Sequence, residues 1–228
     1  MKKLKTAISL FVCILLTNAL IAQDWASLNR YKDDNAKLGL PQHGENRVVF
    51  MGNSITDFWI NNFPDYFSQN GYIDRGISGQ TSPQMLVRFR ADVINLKPMV
   101  VTILAGTNDI AGNTGFSTLE MIADNIFSMA ELAKSNGIKV ILSSVLPVYD
   151  YPWKPGIKPA EKIIKLNEMI KNYADRHGII YLDYFSSLVD DRKGMKAEYS
   201  EDGVHPNKAG YMVMMNLCSK AINEALAQ

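Results

Sequence analysis

The sequence predicts an α/β protein built on a five-stranded parallel sheet with helices on both faces. Three observations carry that prediction. Apolar runs of strand length alternate with segments of helical periodicity. The runs are continuously apolar, as strands buried on both faces are. Finally, most of the runs lead into short segments rich in Gly, Ser, Thr and Asn, the composition expected outside the carboxyl ends of such strands.

Taken in order, Trp25, Leu28, Tyr31, Ala36 and Leu38 predict a short leading helix, and Val48–Met51 reads as the first buried strand. Gly71–Gly76 is a second, weaker strand and Met99–Leu104 a third. Leu119, Ile122, Ala123, Ile126, Phe127 and Ala130 recur at helical spacing, and Gly137 stands where a left-handed helix end is needed. Ile138–Leu142 is the fourth strand. Ile163, Leu166, Ile170, Tyr173 and Ala174 form another helical face that ends near Gly178, and Ile179–Leu182 is the fifth strand. A last helix runs from about Asn207, with Pro206 expected as its first residue. Its apolar stripe is Tyr211, Met215, Cys218, Ile222 and Ala225, which assigns Cys218 to core packing.

The first 22 of the 228 residues differ from the rest: Lys2, Lys3 and Lys5 precede an apolar run from Ala7 to Leu16, and small or apolar residues lead to Ala22. That is the pattern of an export signal cleaved after Ala22, giving residues 23–228 as a single domain in the periplasm or outside the cell. The run is too short for a spanning helix, so stable membrane insertion is not expected. Val12 is too bulky for Cys13 to read as a lipid-attachment site. Loss of the three lysines takes the formal charge from +1 to −2, which argues against a nucleic-acid partner. Cys218 would then be the one cysteine left, so the fold must stand without an intrachain disulfide. A hydrophobic content of 47% supplies the core for that.

The chemistry-bearing residues fall after the strands. Gly52-Asn53-Ser54-Ile55 follows the first, Gly76-Ile77-Ser78-Gly79 the second and Gly106-Thr107-Asn108-Asp109 the third, and Asp202-Gly203-Val204-His205-Pro206 precedes the last helix. A serine hydroxyl becomes a nucleophile when a histidine removes its proton and a carboxylate holds the other ring nitrogen. Ser54, His205 and Asp202 offer that set. The backbone N–H groups of Ser54 and Gly79 and the side-chain amide of Asn108 offer three donors for a developing oxyanion. Taken alone, Ser54 reads better as a helix cap, Asn108 equally as a turn residue and Asp57 as a cap or a solvated turn residue, while His43 and His177 read as surface or capping residues. With three scattered histidines there is no metal-ligand spacing, and no Gly-x-Gly-x-x-Gly or Walker-type loop is present, so neither a metal nor a nucleotide cofactor is expected.

These blocks, in this order and spanning Val48 to Pro206, resemble the SGNH hydrolases, also called GDSL esterases. The four family letters map onto Ser54, Gly79, Asn108 and His205. The first block departs from the family's Gly-Asp-Ser-Leu, but Asn53 keeps a small polar side chain. The resemblance implies a three-layer α/β/α sandwich and ester hydrolysis through an acyl-enzyme. The substrate is then a small-molecule or glycan ester whose acyl group and alcohol the resemblance leaves open. The lack of a long apolar lid segment between the motifs and the aromatic stretch after the fourth strand favour a short-chain, chiefly acetyl, ester of a carbohydrate. Lipid or aryl esters are the alternative, and a non-catalytic glycan-binding module is the alternative of a different class. The segment Tyr149–Gly156, with Tyr151 and Trp153, is a candidate substrate rim. Phe58 and Trp59 read as core.

Overall fold

The computed structural model describes residues 24–228. Five parallel strands, β1 (Val48–Gly52), β2 (Tyr72–Gly76), β3 (Val100–Leu104), β4 (Lys139–Ser143) and β5 (Ile180–Leu182), form one sheet in the order β2-β1-β3-β4-β5. Each expected strand is present to within about a residue at either end. The leading helix is shorter than its apolar pattern suggested. α1 covers Lys32–Leu38, and Trp25 and Leu28 lie exposed in the turns before it.

Alternation along the strands divides the core in two. Val49 and Met51 of β1, with Val101 and Ile103 of β3, face α4 (Ser82–Asp92), α6 (Leu119–Ser135) and α7 (Ala160–His177). Val48 and Phe50, with Val100 and Leu104, face α2 (Ser54–Asn62), α3 (Pro64–Asn70) and α9 (Lys208–Ala227). Helices on both faces leave the strands no solvent side, and β1 and β3 are buried at every residue. Two single-turn α-helices, α5 (Thr107–Ile110) and α8 (Phe185–Leu188), and a 3-10 turn at Ile94–Leu96 complete the set among the described residues. Cys218 is fully buried, and desolvation pushes its thiol up to about 12, so it is packing rather than nucleophile.

Register sets the site. Gly52 pairs with Gly76 on one side and with Leu104 on the other, so three strands end at one level. The chain passes from β1 to β2 on one side and then to β3 on the other, and a crevice opens where the order reverses. Gly76 lets α2 sit against the strand ends, because a Cβ there would lie 2.1 Å from the backbone nitrogen of Asp57. Asp57 in turn accepts hydrogen bonds from the Ser78 backbone at 3.2 Å and the Ser78 hydroxyl at 2.6 Å, which pins the loop after β2 to α2.

Candidate active site

Asn53 is the N-cap of α2, and its side chain accepts from the Ile55 backbone N–H at 3.0 Å. Ser54 is therefore released from the capping role that its position alone suggested. Its hydroxyl meets His205 Nε2 at 2.9 Å. Ser54 also begins the first turn of α2, where backbone N–H groups lack helical acceptors.

The Ser200–Pro206 loop supplies the rest of the chain. Ser200 and Pro206 pair across its base, and Gly203 takes φ +78°, a conformation that favours glycine. The turn brings Asp202 back under its own histidine: Oδ2 lies 2.7 Å from His205 Nδ1. Oδ1 accepts from the backbone N–H groups of Val204 and His205, both at 2.8 Å, and lies 3.1 Å from the Ser200 hydroxyl. Ser200 also donates to the His205 carbonyl at 2.7 Å and accepts from Gly203 N–H at 2.9 Å. Partial burial raises the Asp202 carboxyl, but the hydrogen bonds from the His205 ring and from the His205 and Val204 backbone outweigh it and hold the group below its ordinary value. The acid is thus ionised and tied to Nδ1, which leaves Nε2 facing Ser54 as a proton acceptor. Pro206 precedes the last helix instead of opening it. Asn207 is the cap, accepting from Gly210 N–H at 3.1 Å, and the helix starts at Lys208.

Asn108 is buried in α5 and spends one amide hydrogen on the Gln80 carbonyl at 2.9 Å, leaving the other for a second acceptor. The Gly79 carbonyl, on the peptide that follows the proposed N–H donor, accepts from Asn113 Nδ2 at 3.2 Å. Asp109 accepts from the Ser82 backbone N–H at 2.9 Å and the Ser82 hydroxyl at 2.6 Å. The loops after β2 and β3 are therefore cross-braced into one unit. Beneath them the fully buried Arg88 donates to the Gly52 carbonyl at 3.1 Å, the Arg75 carbonyl at 2.9 Å, Gln80 Oε1 at 2.6 Å and Asp92 at 3.0 Å. Sequence reasoning missed Gln80, Arg88 and Ser200. The one available signal for Arg88 was a charge amid the apolar residues Met85 and Phe89, with Asp92 four residues on.

The rim segment divides. Trp153 is 46% exposed, with its ring 6.2 Å from that of His205. Tyr151 is fully buried, and its hydroxyl donates to the Thr107 carbonyl at 2.8 Å, so it anchors the rim to α5 and does not face a substrate as expected. Phe58 also departs from expectation: Trp59 is core at 2% exposure, whereas Phe58 is 39% exposed and its ring lies 5.3 Å from His205. His43 and His177 lie exposed, apart from these groups. Among the described residues, no group of three or more acidic, His or Cys side chains is arranged to hold a metal ion.

The GDSL-like lipase/acylhydrolase family model matches residues 50–213, which carry the whole of this constellation. The chain belongs to that family. Among solved structures, a candidate acylhydrolase of Bacteroides fragilis is 54% identical with a TM-score of 0.88, covering 89% of this chain and 99% of that one. A GDSL-like lipase of Bacteroides thetaiotaomicron is 51% identical with a TM-score of 0.86, covering 88% and 98%. An acetylxylan esterase of Xylanibacter ruminicola is 24% identical over 80% of this chain and 44% of its own length. The chain spans less than half the length of the first three curated relatives it matches. The five-stranded parallel sheet and its two helical layers are those of the GDSL family, as the sequence resemblance implied.

Proposed function

We propose that the protein is a serine ester hydrolase that cleaves short-chain, chiefly acetyl, esters of carbohydrates through an acyl-enzyme. The observation that carries the reaction type is the unbroken path from Ser54 Oγ through His205 to Asp202, at 2.9 and 2.7 Å. As Oγ attacks the ester carbonyl, Nε2 takes its proton and Asp202 stabilises the imidazolium. The carbonyl oxygen gains its negative charge beside the Ser54 and Gly79 N–H groups and the free amide hydrogen of Asn108. When the tetrahedral intermediate collapses, Nε2 returns the proton to the departing alcohol. Water then repeats the sequence on the acyl-enzyme and frees the acid.

Two features support the substrate class. Exposed Phe58 and Trp153 flank His205 with flat faces of the kind that pack against sugar rings. The Xylanibacter ruminicola relative is an acetylxylan esterase. The amino-terminal pattern of residues 1–22, which lies outside the described residues, supports export to such a substrate; amino-terminal sequencing of the secreted protein tests it, with Gln23 expected first.

Ser54→Ala is the test of the reaction. Hydrolysis of p-nitrophenyl acetate should fall by several orders of magnitude while the melting temperature moves little, because only one hydroxyl is lost. Retained turnover in the folded variant refutes the mechanism. Specificity constants for p-nitrophenyl esters of two to twelve carbons test the acyl group. Each buried methylene is worth about 0.8 kcal/mol in a deep apolar groove, so a maximum at eight carbons or beyond would replace acetyl esters by lipid esters.

A further inference from the structure

The proton that His205 returns fixes where the alcohol must be. The leaving oxygen has to reach hydrogen-bond distance of Nε2, so the rest of the alcohol lies against the open side of the imidazole. The Phe58 ring lies 5.3 Å from the imidazole, and Phe58 belongs to one face of α2. Ser54, Phe58 and Asn62 recur at four-residue intervals and so line up along the helix. Asn62, at the far end of this face, lines a cleft of about 680 Å³ together with His205, Asp202, Glu201 and Lys208, and Phe58 stands between that cleft's Asn62 wall and Ser54 along the helix. The size is that of an ordinary small-molecule site.

The chemistry of the cleft is polar and of both kinds. Asn62 gives one amide hydrogen to the Phe58 carbonyl at 2.8 Å, which keeps its carbonyl oxygen and second hydrogen free. Glu201 offers acceptors and Lys208 offers donors. A hydrocarbon tail placed there would strip these groups of water and give nothing in exchange. A ring bearing hydroxyls, each both donor and acceptor, would satisfy them.

We infer that this cleft is the alcohol subsite: it receives the polyhydroxylated leaving group, with Phe58 packing against the ring next to the scissile bond and Asn62, Glu201 and Lys208 binding hydroxyls of the ring beyond it. The assignment rests on the esterase reading above and names the residues that select its alcohol.

The test holds the acyl group constant and varies the alcohol. Acetylated xylotriose and p-nitrophenyl acetate are compared with wild type, Asn62→Leu and Glu201→Ala, with unacetylated xylotriose as a competitive inhibitor of p-nitrophenyl acetate hydrolysis. In both variants the ratio of kcat/KM for the acetylated sugar to that for p-nitrophenyl acetate should fall about tenfold, the weight of one ordinary hydrogen bond. The inhibition constant of free xylotriose should rise by a similar factor. Losses that fall equally on both esters, or ratios and inhibition constants within twofold of wild type, overturn the subsite. A wild-type enzyme that cleaves p-nitrophenyl acetate but not acetylated xylotriose overturns the carbohydrate reading and the subsite together. Failure of the subsite alone appears only in the variants.

Discussion

Asp202→Asn separates the two jobs that this carboxylate performs. Oδ1 holds the loop, through the Val204 and His205 N–H groups at 2.8 Å each. Oδ2 holds the histidine, at 2.7 Å from Nδ1. The asparagine oxygen can take over the first job, so the loop should keep its shape and the melting temperature should change by a few degrees at most. The asparagine NH2 then sits where Oδ2 was, and it is a donor facing Nδ1. Only an unprotonated Nδ1 can accept from it, which moves the ring proton to Nε2. In that tautomer Nε2 donates to Ser54 and cannot take its proton. A triad with this defect loses roughly 10⁴ in turnover. At 1.36 kcal/mol per factor of ten, that is about 5 kcal/mol of transition-state stabilisation. The assay is kcat on p-nitrophenyl acetate at neutral pH, with circular dichroism to verify the fold. Turnover within tenfold of wild type in a folded Asp202→Asn protein would refute the assigned role of Asp202.

Asn108→Ala should lower kcat by about 10²–10³ with little change in KM, because the amide meets the oxyanion chiefly in the transition state; a raised KM with unchanged kcat would make it a substrate-positioning group instead. Arg88→Met leaves the buried Asp92 without its paired cation, with the Asn35 amide at 2.8 Å still on its other oxygen, and should cost about 3 kcal/mol, seen as a melting temperature lower by on the order of 10 °C. The pH dependence of stability should carry the signature of Asp74. Burial, opposed by the Gly76 N–H and reinforced by Asp57, pushes its carboxyl up to about 7. The unfolded chain loses that proton near ~4 while the folded chain keeps it to about 7, so Asp74 makes stability fall as pH rises through that window. Urea midpoints at pH 4.5 and pH 8 should show this contribution in wild type and lose it in Asp74→Asn; parallel profiles would refute it.

What was legible in the sequence was local or periodic. The three-residue spacing of Asp202 and His205 lets one turn join them, and the structure has that turn. The strands were legible because a run such as Val48–Met51, buried on both faces, has no polar interruption. The side of a helix was legible too, but only when read as geometry. Ile55 and Trp59 share the buried face of α2, while Phe58 follows Ser54 by four residues and so stands with it at the site. Reading Phe58 beside Trp59, as two adjacent aromatics, hid that difference. Tyr151 and Trp153 were hidden in the same way: treated as one rim, they part because the Tyr151–Lys154 bridge turns the first inward. Arg88 was beyond sequence reasoning for another reason. Three of its four acceptors, Gly52, Arg75 and Gln80, become its neighbours only once β1, β2 and the loop after β2 are assembled.

That assembly explains why small and polar residues crowd the strand ends. Gly76 lacks a side chain, so α2 can approach; Asp57 on α2 then holds Ser78, next to Gly79. Gln80, clamped by Arg88, presents the carbonyl that orients Asn108. Two of the three proposed oxyanion donors, Gly79 and Asn108, are thus each set by a group from a different strand end, and the common strand level at Gly52, Gly76 and Leu104 is what brings those groups within reach. A slip of one residue between β1 and β2 would shift Gly79 by more than 3 Å along the sheet and turn every side chain of β2 to the other face. The packing that fixes the register therefore also fixes the geometry of the site. On this account, damage to Arg88 should appear in stability and in turnover together, whereas damage to Ser54 appears in turnover alone.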